Sequence, residues 1–72
     1  MKKWTLKACR INSGFTLKQV SSIIGKNLQT ISRYEKDSSN IPLGLLSDLS
    51  NLYKVDINEI FLGKSTKKTE FL

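Results

Sequence analysis

FTLKQVSSIIGKNLQTISRYE, residues 15–35, reads as two short helices joined by a glycine turn, with a polar face left over on the second. Thr16 and Gln19 stand at the spacing of a capping box, in which the N-cap hydroxyl accepts the third helical N–H and the Gln side chain accepts the N-cap N–H. Phe15 and Val20 stand at the spacing of a hydrophobic staple, so the angle at which the chain joins the helix is specified. Val20, Ile23 and Ile24 supply the apolar face expected to enter the core. Gly25 follows where the helix must stop, because a left-handed residue after a helix is least strained without a Cβ. Asn27 is placed to cap the second helix. Two residues separate Gly25 from Leu28, too few for a loose linker.

On a wheel of about 100° per residue, Ile31 and Tyr34 of the second helix point to the core, while Gln29, Ser32, Arg33 and Lys36 gather on the opposite side. Arg offers a bidentate fork to guanine O6 and N7, and Gln can pair with adenine N6 and N7. Leu28 lies at the border, where it serves either as a half-buried edge residue or as an apolar contact for a thymine methyl. Taken alone, such a face is also what an ordinary solvated helix presents.

Charge distribution separates these readings. The chain carries 12 basic and 6 acidic residues, a net charge of +6, and no acid precedes Glu35. Lys2, Lys3, Lys7, Arg10, Lys18, Lys26 and Arg33 therefore give the first half an unopposed positive field, while Asp37, Asp48, Asp56 and Glu59 make the segment up to Gly63 acidic. A one-sided field of this sign attracts phosphate and releases counterions on binding. A membrane surface would attract it too, but no stretch approaches the roughly 20 apolar residues of a spanning helix, and the lysines do not line one amphipathic helix. Double-stranded DNA is the expected partner, and no membrane association is expected.

Seventy-two residues make one small domain, 1–63, followed by a basic tail, 64–72, that lacks periodicity and is expected to be flexible. The single Cys9 cannot form an internal disulfide and lies on the stripe Leu6, Cys9, Ser13, which makes it a small core residue. With no His, no Cys pair and no carboxylate cluster, no metal site, cofactor or catalytic residue is expected. No signal peptide is evident, so a cytoplasmic location is expected.

The remaining elements also read as helix. A first helix is expected over about Thr5 to Ser13, and one beginning near Pro42 carries Leu45, Leu46, Leu49, Leu52 and Tyr53 on its apolar face. Asp56 and Glu59 repeat the capping-box spacing, with Val55 and Ile60 as staple, and predict a short fifth helix ending at Gly63. Trp4 and Phe61 are expected to complete the core or to sit half exposed. The fold class is all-α, a compact five-helix domain.

From about Leu6 to Gly63 the chain resembles the lambdoid phage repressor and Cro family, the XRE-type helix-turn-helix regulators. The likeness is carried by Gly14, Phe15 to Val20, Gly25, Ile31, Tyr34-Glu35, Pro42 and the closing Val55 to Phe61. The resemblance implies a lambda-repressor-like domain that places residues 28–35 in the major groove. It assigns Leu28, Gln29, Ser32 and Arg33 to base edges, and Thr16, Leu17, Asn27 and the loop Lys36 to Asn40, with Ser38 and Ser39, to phosphates. Lys18 and Lys26 add nearby positive charge for the same backbone. It also implies a salt bridge between Arg10 and Glu35. Two positions depart from the family pattern: Leu17 stands where Gln is usual, and Ser21 where Ala is usual.

A module this small reads few base pairs, so a homodimer on a pseudo-palindromic operator is expected, with Ile57, Ile60, Phe61 and Leu62 as the dimer surface. The same fold also serves as a protein-interaction module of the antitoxin or coactivator kind. In that alternative the tail ending in Phe71-Leu72 would grip a protein partner.

Overall fold

The computed structural model describes residues 3–64, and the tail beyond Lys64 lies outside them. Four α-helices follow in order, α1 (Leu6–Asn12), α2 (Leu17–Ile24), α3 (Leu28–Lys36) and α4 (Leu43–Tyr53), and then a 3₁₀ turn, Ile57–Glu59. Each of the first three begins on a side-chain cap. The Thr5 hydroxyl accepts from the Ala8 N–H at 3.0 Å. In α2 both halves of the capping box are made, Gln19 N–H to the Thr16 hydroxyl at 3.1 Å and Thr16 N–H to Gln19 Oε1 at 2.9 Å. The Asn27 side chain accepts from the Gln29 N–H at 2.8 Å and opens α3. Gly25 closes α2 at φ +78°, in the left-handed region.

The core is built from Leu6 and Cys9 of α1, Val20 of α2, Ile31 of α3, Leu45, Leu46, Leu49 and Tyr53 of α4, and Ile60. Phe15, Leu17, Ile24, Tyr34, Ile41, Leu52, Val55 and Ile57 pack around it partly buried. Ile23 does not join: it is 56% exposed while Val20 is fully buried. Ile24 and Val20 lie four residues apart and fill the core side of a helix only two turns long, which leaves Ile23 at the edge of the apolar face. Trp4, 38% exposed, and Phe61, half buried, lie outside the core cluster.

The fifth helix stops at a single 3₁₀ turn. Asp56 accepts from Asn58 N–H rather than from Glu59, whose N–H bonds the Asp56 carbonyl at 2.8 Å. The chain is then drawn into extended pairing. Trp4 N–H donates to the Glu59 carbonyl at 2.8 Å, and Phe61 N–H to the Trp4 carbonyl at 2.7 Å, a parallel bridge of Trp4 with Ile60. Further on, Ser38 N–H donates to the Gly63 carbonyl at 3.0 Å, and Asp37 and Lys64 form an antiparallel bridge. Residues 60–64 thus run between the start of the chain and the loop after α3, where helical hydrogen bonding would leave these backbone groups unpaired.

Burial against the core pushes the Tyr53 phenol well above its ordinary ionisation range, and the nearby Glu35 charge adds to this. The folded state therefore holds Tyr53 neutral where the unfolded chain would ionise. Its contribution is complete below about pH 10 and is lost as pH rises past that value. Urea-unfolding midpoints are expected to fall above about pH 10, and Tyr53→Phe to flatten that fall with little change at neutral pH.

A second expectation concerns the two left-handed helix ends. A Cβ built on Gly25 meets nothing within 4 Å, so Gly25→Ala carries backbone strain alone. Lys54 ends α4 at φ +56° with that strain already present. Thermal melts should show Gly25→Ala destabilised by about 1–2 kcal/mol and Lys54→Gly shifted in the opposite direction.

Candidate nucleic-acid interface

Helix α3 has two unlike sides. Ile31 and Glu35 are buried, while Leu28, Gln29, Arg33 and Lys36 are exposed and Ser32 is half buried. Its inner side is fixed by an ion pair reaching from α1. Arg10 Nε donates to Glu35 Oε2 at 2.7 Å and Nη2 to Oε1 at 3.3 Å, a two-pronged contact whose side chains are 12% and 7% exposed. Arg10 Nη1 also donates to the Phe15 carbonyl at 3.0 Å. One guanidinium therefore joins α1, the start of α2 and the end of α3, and the sequence reading had missed its third contact. Its planar fork satisfies three acceptors that Lys could not reach together.

The turn between α2 and α3 is held by Ser21. Its carbonyl accepts from Gly25 N–H at 2.9 Å and Lys26 N–H at 3.2 Å, and its hydroxyl donates to the Lys26 carbonyl at 2.5 Å. In the sequence, Ser21 was visible only as a departure from the Ala usual in the family. A serine four residues before a helix-ending glycine was the available signal.

On the outer side of α3, Leu28 is 40% exposed beside Gln29, with Ser32 and Arg33 a turn later. Among the described residues, the Gln29 and Ser32 side chains make no intrachain hydrogen bond. The guanidinium of the exposed Arg33 lies 5.5 Å from the centre of the Tyr34 ring, a cation–π contact.

The flanking polar groups fall into two sets. Thr16, Lys18, Lys26, Asn27, Lys36, Ser39 and Asn40 are exposed. The Thr16 hydroxyl accepts within its capping box and keeps its proton to donate, and Asn27 uses its oxygen as a cap and keeps its amide N–H groups. Leu17 is half buried against the core and can offer only its backbone N–H. Ser38 is withdrawn: it is 3% exposed, and its hydroxyl accepts from Gly63 N–H at 3.1 Å and lies 3.3 Å from the Phe61 carbonyl. Its expected phosphate contact is corrected accordingly, because the hydroxyl closes the loop onto the last segment. Ser39 is turned onto its neighbour, its hydroxyl donating to Asp37 Oδ1 at 2.5 Å and its N–H to the same oxygen at 3.0 Å. These bonds hold the Asp37 carboxyl below its ordinary range.

The proposed dimer residues also divide. Ile60 is 2% exposed and belongs to the core, so it is removed from that surface. Leu62 is exposed, and Ile57 and Phe61 are half buried.

A family model described as Helix-turn-helix matches residues 6–60. The chain belongs to the XRE-type helix-turn-helix family. It is a DNA-binding regulator of that family, with α2 and α3 as the helix-turn-helix. Comparison with curated proteins finds no match. No helix among the described residues is long and apolar enough to cross a membrane, and no group of three or more His, Cys, Asp or Glu gathers there to hold a metal.

Glu35→Gln keeps the shape and removes the charge that Arg10 faces at the edge of the core. It should destabilise the fold by about 1–3 kcal/mol, since it leaves a nearly buried guanidinium without its counter-charge. Unchanged thermal unfolding would remove the ion pair from the account of stability.

Proposed function

We propose that this protein is a Cro- or repressor-like regulator that binds a pseudo-palindromic operator as a homodimer, with α3 in the major groove of each half-site. The observation that carries this reading is the outward face of α3, whose Gln29, Ser32 and Arg33 present donors and acceptors to solvent from a helix locked on its inner side by Arg10. Arg33 is assigned to a guanine and Gln29 to an adenine, with Ser32 adaptable and Leu28 against a thymine methyl.

Ser39 is left out of the phosphate contacts because its hydroxyl and N–H both donate to Asp37. Phosphates are assigned to Thr16, Lys18, Lys26, Asn27, Lys36 and Asn40, and to the start of α2. There, Gln19 N–H is taken by the Thr16 hydroxyl and Val20 N–H by the Thr16 carbonyl. The N–H groups of Leu17 and Lys18 remain to face an anion at the positive end of the helix. This main-chain route supplies at Leu17 the contact that its side chain cannot make. The dimer surface is reduced to Ile57, Phe61 and Leu62. Two copies about one helical turn apart on DNA would provide the discrimination that one module lacks.

Titration of a randomised duplex pool by fluorescence anisotropy at two salt concentrations, followed by sequencing of the retained duplexes, tests the proposal. Recovery of a pseudo-palindrome supports it; salt-sensitive binding without enrichment counts against it and favours a protein-interaction module. On the recovered operator, Arg33→Ala is expected to cost about 1–3 kcal/mol and to relax selectivity at one position of each half-site. Equal weakening on every sequence would show that Arg33 contacts phosphate.

A further inference from the structure

We propose that Ser21 is a positioning residue for the recognition helix: its hydroxyl fixes the peptide between Lys26 and Asn27, and through it the angle at which α3 meets DNA. The inference rests on α3 being the DNA-reading element. A serine inside a helix ordinarily bonds back to a carbonyl one turn earlier or points to water. Here its hydroxyl reaches forward five residues, past the end of its own helix, to the Lys26 carbonyl at 2.5 Å.

That carbonyl precedes α3. The first helical acceptor of α3 is the Asn27 carbonyl, which takes Thr30 N–H at 3.0 Å and Ile31 N–H at 3.2 Å. The Lys26–Asn27 peptide is therefore the last one before the recognition helix begins. Packing does little to constrain it, because Gly25, Lys26 and Asn27 are all exposed and a Cβ on Gly25 would meet open space. Hydrogen bonds hold this turn, and Ser21 makes three of them, two through its carbonyl and one through its hydroxyl. Removing the hydroxyl leaves the two amide bonds and frees the peptide plane that carries the Asn27 cap.

The molecule contains a matched control. Ser50 in α4 uses the same five-residue reach, its hydroxyl donating to the Val55 carbonyl while Val55 N–H returns to the Ser50 carbonyl at 3.1 Å. That turn joins α4 to the 3₁₀ turn and carries none of the residues assigned to DNA. A role confined to stability would make the two serines equivalent in DNA discrimination, whereas a positioning role separates them.

The test uses the full chain with Ser21→Ala, Ser21→Thr and Ser50→Ala, at a temperature where each is fully folded. Ser21→Ala is expected to lose roughly three- to tenfold of the affinity ratio between operator and random duplex, the range one neutral hydrogen bond supplies. Its affinity for random duplex and its salt slope should stay as in the parent. On a duplex carrying one half-site, where no dimer contact through Ile57 enters, Ser50→Ala should leave the ratio unchanged, and Ser21→Thr, which keeps the hydroxyl, should recover most of it. On the free protein, amide exchange at Gly25, Lys26 and Gln29 should accelerate in Ser21→Ala but not in Ser50→Ala. Equal ratios for the two alanine variants, or exchange that rises uniformly through the chain, would overturn the positioning role. A parent protein with no operator preference would instead overturn the reading of α3, while the exchange experiment would still decide the role of Ser21 in the turn.

Discussion

The contact on which the rest of the arrangement depends is the Arg10 guanidinium. It ties α1 to the end of α3 by a two-pronged ion pair, a contact more directional than apolar packing. Its third bond, to the Phe15 carbonyl, binds the segment between α1 and α2 into the same node. An ion pair this far from water must offset a large desolvation cost, so its net contribution to stability is smaller than its geometry suggests. Its structural value is orientation: the inward face of α3 can be Glu35 in one rotation of the helix only, and that rotation sets which residues face outward.

The two helix ends that reverse the chain use one local device. Ser21 and Ser50 each stand one turn from the end of a helix, each is followed by a residue in the left-handed region, and each sends its hydroxyl to a carbonyl five residues on. The left-handed residue is Gly25 in one case and Lys54 in the other. The first occurs where the two helices of the DNA-binding unit meet and the second where the chain returns toward Trp4. A shared geometry thus shapes the helix-turn-helix in one place and closes the domain in another.

What the sequence disclosed follows the range of the interactions concerned. Thr16 with Gln19, Asn27 with Gln29, and Gly25 are settled within four residues, and their patterns could be read directly. Arg10 with Glu35, 25 residues apart, became legible only through the family resemblance. Ser38, Ile60 and the end of the fifth helix were misread for a common reason. Each depends on where residues 60–64 run, and that path is set by backbone pairing with Trp4, Asp37 and Ser38, which leaves no trace in side-chain periodicity. Ile23 was misread because two turns of helix offer room for fewer buried residues than the run Val20, Ile23, Ile24 suggests.

The division of α3 into a locked inner side and an unengaged outer side has a consequence for how such a regulator can change its target. Ile31 and Glu35 contribute to stability, whereas Leu28, Gln29 and Ser32 bear little of it, so under the proposed assignment substitutions at the latter three would alter the reading of bases at small cost to folding. Arg33 is the intermediate case, since its guanidinium rests near the Tyr34 ring and that ring packs on the core. The contact is weak at an exposed position, and it restricts where the fork can point without closing its donors. A cation restrained in this way loses less rotamer freedom on docking than a free lysine would, which supports the proposed assignment of Arg33 to a base and of Lys18, Lys26 and Lys36 to the sequence-independent attraction of phosphate.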